Sequence, residues 1–124
     1  MAKKILLVDD DAELCEELSE ILRDEGYLVR VVSDGKEGKK EIERFDYDLL
    51  ILDFKMPGLN GIEILKQIKG KSPACKFFLI SGKPHLERTL EEEKLTHLVD
   101  GIMQKPFDVE SLLQAISSAL SPAS

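Results

Sequence analysis

Asp9, Asp10, Asp53, Ser81 and Lys105 each follow directly on an apolar run: Ile5 to Val8, Leu49 to Leu52, Phe77 to Ile80 and Gly101 to Gln104. An acid behind an apolar run is by itself as readily a solvated loop residue, so no single stretch identifies a site. If the runs are parallel strands of one sheet, all five side chains gather at its carboxyl edge, where open α/β sheets bind ligands. Three carboxylates crowded there are costly unless protons are taken up or a cation is bound. An oxygen-only cluster suits a hard divalent ion. Magnesium keeps waters and phosphate oxygens beside one or two carboxylates and so leaves room for a ligand, whereas a calcium loop needs regularly spaced ligands along one segment, which this chain lacks. A fixed ammonium and a hydroxyl opposite that ion, Lys105 and Ser81, form a clamp for an anion, most naturally a phosphoryl group carried on one of the acids. Phosphorylation adds about −1.5 to −2 charges, which the ion and Lys105 neutralise. Asp53 is the best nucleophile because it ends the central strand, with Asp9 and Asp10 on the neighbouring one.

The elements that must position these groups can be read in order. Lys4 to Val8 is a strand, and Asp11 caps a helix whose apolar stripe is Leu14, Leu18, Ile21 and Leu22, with Glu13, Glu16, Glu17 and Glu20 on the wet face. Asp24-Glu25-Gly26 ends it. Leu28 to Val32 is a second strand, and Ser33-Asp34-Gly35 turns into a weak helix through Arg44 with a thin stripe of Ile42 and Phe45. Leu49 to Asp53 is a central strand flanked on both faces, because four aliphatic residues occur without polar alternation. Met56-Pro57-Gly58 then turns the chain into a helix from about Asn60 to Lys69 carrying Ile62, Leu65 and Ile68, and Gly70 to Pro73 is a loop. Lys76 to Ile80 is the fourth strand, Pro84 to Leu95 has helical spacing at Leu86 and Leu90, Val99 to Gln104 is the fifth strand, and Val109, Leu112, Leu113, Ile116 and Leu120 line a terminal helix. Strands alternating with helices five times call for a doubly wound α/β fold, a parallel sheet with helices on both faces.

The 124 residues are expected to form one domain over 1–124, with 121–124 as a C-terminal tail. The chain carries 17 Lys and Arg against 24 Asp and Glu, a net charge of −7 that repels a phosphate backbone and argues against direct nucleic-acid binding. No apolar stretch approaches the roughly 18 residues that span a bilayer, and no signal-peptide core follows Met1, so a cytoplasmic protein without membrane contact is expected. Cys15 and Cys75 fit neither a metal spacing nor a disulfide framework and are read as reduced, partly buried thiols. His85 and His97 are isolated and lie off the predicted edge, and Glu91 to Glu93 is a solvated run.

Taken together, Val8-Asp9-Asp10, Leu52-Asp53-Phe54-Lys55-Met56-Pro57-Gly58, Ile80-Ser81-Gly82 and Lys105-Pro106-Phe107 resemble the signature of bacterial response-regulator receiver domains, in the right order and across essentially the whole chain. The resemblance implies a flavodoxin-like (βα)5 three-layer sandwich with a five-stranded parallel sheet in the order 2-1-3-4-5. It implies a phosphoacceptor switch of a two-component system in which Asp53 takes a phosphoryl group from a phosphohistidine on a sensor histidine kinase or phosphotransfer protein. Magnesium would be held by Asp9, Asp10, Asp53 and the backbone carbonyl of Lys55. Ser81 would hydrogen-bond the acyl phosphate when its loop swings inward, and Lys105, whose bond to Pro106 is cis in the family, would pair with it. Such a domain is not an enzyme beyond promoting its own phosphoryl transfer and autodephosphorylation. Its output would be a downstream protein target or an effector domain outside this chain, engaged through the predicted Pro84–Leu95 helix, the fifth strand and the terminal helix, with Leu90, Ile102 and Leu112 on that surface.

One position departs from the family pattern. Where the family commonly places Tyr or Phe, three residues before the lysine, this chain has Ile102, so an aromatic read-out is not expected. Lys55 and Lys83, two residues beyond Asp53 and Ser81, flank the mouth of the site and bear on phosphate lifetime. An aspartyl-phosphate phosphohydrolase would want a second acid two residues after the nucleophile, where Lys55 stands. A flavin carrier would want a Ser/Thr/Gly-rich phosphate loop in place of Asp9-Asp10-Asp11. A non-phosphorylated, receiver-like interaction module is the remaining alternative, and its usual mark, loss of the acceptor acid or the lysine, is absent.

Overall fold

Leu49–Asp53 (β3) is buried at all five positions, as a strand covered on both sides must be. In this computed structural model, which describes residues 2–53, 61–71, 74–82, 88, 91–92, 97, 99–105 and 107–121, β3 is the centre of a five-stranded sheet. Its neighbours are Lys4–Val8 (β1) and Lys76–Ser81 (β4), with Leu28–Val32 (β2) and Gly101–Gln104 (β5) at the edges. All pairings are parallel and the order is β2-β1-β3-β4-β5, as the resemblance implies.

Alternation along the strands divides the core in two. Leu6, Val8, Leu50, Leu52, Phe77 and Leu79 pack on one face with Ile42 of Gly35–Arg44 (α2) and Ile64, Leu65 and Ile68 of Gly61–Lys71 (α3). Ile5, Leu7, Leu49, Ile51, Phe78 and Ile80 pack on the other with Cys15, Leu18 and Leu22 of Ala12–Asp24 (α1) and Leu112 and Ile116 of Val109–Leu120 (α4). The result is a three-layer α/β/α sandwich. Asp11, Asp34 and Asp108 cap α1, α2 and α4, each side chain accepting a backbone N–H at the third residue on.

Several expectations need correction. Phe45 is 54% exposed at the C-cap of α2 and does not extend an inward stripe. α2 is held close instead by Gly38, where a Cβ would stand 3.2 Å from a Val8 methyl. Gly70 and Lys71 continue α3, because Gly70 lies at an exposed helix end with open space around it, where the missing side chain costs no packing. β5 begins at Gly101, two residues later than expected: Asp100 still donates its backbone N–H to the Phe77 carbonyl at 2.7 Å, while its carboxylate accepts the Phe77 N–H at 2.8 Å and lies 3.4 Å from Lys69. Leu112, expected on the interaction surface, is fully buried against the sheet, while Ile102 is half-buried on the α3 side. Lys55, Met56 to Gly58, Lys83, His85, Leu86, Leu90, Pro106 and the tail beyond Ser121 lie outside the described residues, so the Lys55 carbonyl and the Lys105-Pro106 bond are not placed. Arg88, Glu91 and Glu92 are helical, with Arg88 and Glu92 paired at 3.4 Å, and His97 is exposed.

Candidate metal and phosphoacceptor site

The register explains how distant residues meet. Val8 is paired with Leu52, Asp53 with Ile80 and Ile80 with Met103, so Asp9 stands level with Asp53 while Ser81 lies one residue and Lys105 two residues further along, all at the carboxyl edge. Asp9 continues the parity of Ile5 and Leu7, Asp53 that of Leu49 and Ile51, and Lys105 that of Met103, all on the α1 and α4 side. Ser81 instead continues the parity of Phe77 and Leu79, on the other side.

Three of the four groups are in contact. Lys105 Nζ lies 2.9 Å from Asp9 Oδ2 and 3.4 Å from Asp53 Oδ2, bridging the ends of β1 and β3. One carboxylate oxygen from each of Asp9, Asp10 and Asp53 falls within 4.8 Å of the others. Asp9 is completely buried and Asp53 nearly so, while Asp10 is exposed and opens the cluster to solvent. Ser81 is buried, and its carbonyl accepts the Lys105 backbone N–H at 2.7 Å, which ties the two strand ends together.

Asp9 is held from several directions. Its N–H donates to the Val32 carbonyl at 3.2 Å, its Oδ1 accepts the Asp11 N–H at 3.0 Å, and its carbonyl accepts the Cys15 thiol at 3.3 Å. Oδ2 is paired with the Lys105 ammonium at 2.9 Å, and among the described residues no well-directed hydrogen bond completes its shell. An ionised carboxylate oxygen has more than one lone pair, so the Lys105 contact leaves Oδ2 able to accept a further cation. Together with two further carboxylate oxygens, all hard donors, it fits a divalent cation of the magnesium type.

Burial is the strongest single influence on Lys105 and pulls its titration down, but pairing with Asp9 and the charge of Asp53 outweigh it, so Lys105 titrates above the ordinary 10.5. Burial, with the negative charges of Asp9 and Asp11 behind it, pushes the Cys15 thiol up to about 11. Cys75 is likewise pushed up to about 11, chiefly by burial. Both thiols are free and are buried rather than partly buried. The support that Cys15 and Asp11 lend to Asp9 was missed in the sequence; the inward helical position of Cys15, one turn after Asp11, was the available signal.

Comparison with known proteins agrees with this fold. The signature of the family described as "Response regulator receiver domain" matches residues 5–117. The chain is 38% identical over 117 residues to the transcriptional regulatory protein CpxR homolog of Haemophilus influenzae, covering 94% of this chain and 50% of that protein. It is similar in structure to a CheY-like response regulator receiver domain protein from Methanospirillum hungatei, with a TM-score of 0.86, 30% identity and coverage of 95% and 93% of the two chains. It is also similar to the response regulator protein TrrA of Thermotoga maritima in complex with Mg(2+)-BeF, with a TM-score of 0.82, 31% identity and coverage of 95% and 99%. The chain spans about half the length of several curated relatives that it matches.

Proposed function

This chain belongs to the response regulator receiver domain family, whose members are phosphoacceptor signalling switches of two-component systems, and from that premise we propose that Asp53 is its acceptor. The observation that carries the assignment is the Lys105 ammonium bridging Asp9 and Asp53 beside a third carboxylate. Asp53 ends the central strand, and an oxygen of its carboxylate attacks the phosphorus of a phosphohistidine on a sensor histidine kinase or phosphotransfer protein. The P–O bond to Asp53 forms as the P–N bond to histidine breaks, and the electron pair returns to the imidazole. Asp9, Asp10 and Asp53, with the Lys55 carbonyl, would hold magnesium, which supplies charge neutralisation at the transferring phosphoryl oxygens. Lys105 stays cationic through neutral pH and pairs with a phosphoryl oxygen as charge develops there.

Ser81 starts on the opposite parity from Asp53, so its hydroxyl reaches the acyl phosphate through an inward movement of the strand end. Because the Ser81 carbonyl holds the Lys105 N–H, that movement is transmitted to β5. Partner affinity changes in response. Water attack on the same phosphorus returns Asp53 and releases inorganic phosphate, a self-limiting step whose rate Lys55 and Lys83 modulate. The output is a downstream protein or an effector domain outside these residues. No helix among the described residues is long and apolar enough to cross a membrane, and the charge of −7 disfavours nucleic acid, in keeping with a cytoplasmic partner protein.

Incubation with magnesium and a small acyl phosphate tests the assignment by intact-mass measurement. The wild type is expected to gain one phosphoryl group and Asp53→Asn to gain none. An unmodified wild type under these conditions would instead identify a receiver-shaped interaction module.

A further inference from the structure

Cys15 lies on the buried side of α1, 4% exposed, with its thiol 3.3 Å from the carbonyl oxygen of Asp9. That carbonyl belongs to the peptide joining Asp9 to Asp10. A peptide unit is planar, so a donor on its oxygen fixes the plane from which the Asp10 Cα departs. The Asp11 N–H fixes Asp9 Oδ1 from the other side of the same turn, leaving Oδ2 to face the cluster. Both contacts act on the turn that carries the Asp9 and Asp10 carboxylates, whose oxygens meet that of Asp53 within 4.8 Å.

Resting on the metal reading above, we infer that Cys15 is a positioning residue for the cation site, its thiol holding the Asp9–Asp10 peptide so that both carboxylates face one point. The thiol acts here as the donor, with the Asp9 carbonyl oxygen as acceptor. Supporting partners behind metal ligands commonly influence affinity, and S–H···O contacts are weak individually, so the expected effect is modest.

The test compares wild type with Cys15→Ser, Cys15→Ala and Cys15→Val, following amide chemical shifts during titration with magnesium chloride and, separately, urea unfolding without metal. Ser retains a donor, Ala removes it, and Val removes it while keeping apolar volume. The expected result is that Ala and Val weaken magnesium binding about threefold or more while Ser stays within about twofold of wild type. A packing role alone ranks the variants the other way, because a buried hydroxyl is the poorest replacement for packing. Magnesium affinities that follow the urea stabilities, or that are equal for Ser and Ala, would overturn the inference while leaving the metal site standing. A wild type that binds no magnesium would overturn the metal reading, and this assignment with it.

Discussion

Asp9 and Lys105 form the tightest charge pair at the sheet edge, with the acid fully buried and the lysine side chain 24% exposed. Removing the ammonium takes away the positive charge that the buried Asp9 and Asp53 carboxylates share. Lys105→Met is therefore expected to lower stability by about 1–3 kcal/mol at neutral pH in metal-free buffer, measured by urea unfolding. The sign of the pH dependence follows from the raised titration of Lys105. A lysine raised on folding stabilises fully below its unfolded value, about 10.4, and the stabilisation is lost as pH rises through the folded value. The difference between wild type and Lys105→Met should be flat from about pH 7 to 10 and shrink only above that. A difference already gone by about pH 8 would show that another group controls the pair.

Each helix described with a cap begins on an aspartate, and α4 has the most elaborate one. Asp108 Oδ2 accepts both the Ser111 hydroxyl at 2.8 Å and the Ser111 N–H at 3.3 Å. α4 contributes Leu112 and Ile116 to the core on the side of the sheet shared by Asp9, Asp53 and Lys105. Asp108→Ala should cost about 1 kcal/mol, read from the urea midpoint. Phosphoryl uptake by Asp53 should be unchanged, because the cap lies in the segment after Lys105 and, among the described residues, its carboxylate is engaged with Ser111. A loss of uptake at unchanged stability would place Asp108 in the site itself.

At the scale of the whole molecule, the acids come from the ends of two neighbouring strands, so a cation that holds them favours the paired sheet over the unfolded chain. Magnesium should raise the unfolding midpoint by mass action, by about 2.7 kcal/mol at one hundred times its dissociation constant. Asp10→Ala, at an exposed position that leaves the core intact, should abolish most of that rise. Equal stabilisation of wild type and Asp10→Ala would mean that the ion binds elsewhere. The same architecture links site to surface, since β4 and β5 are joined by the ladder through Ser81 and Gln104 and by the Lys105 N–H beyond it.

Much of this protein is written locally. The aliphatic runs ending at Asp9, Asp53, Ser81 and Lys105, the cap at Asp11 and the helical spacing of Leu18 and Leu22 determined the element order and the edge at which reactive groups collect. These are properties of contiguous residues, which the two backbone periodicities expose directly. Only the tertiary structure decided that Lys105 stands nearer Asp9 than Asp53, that Ser81 begins on the opposite parity, that Leu112 is interior while Phe45 is not, and that β5 begins at Gly101. Those outcomes depend on register between strands and on the approach of helices to the sheet. Both are set by contacts between residues far apart in the chain, which no local pattern encodes.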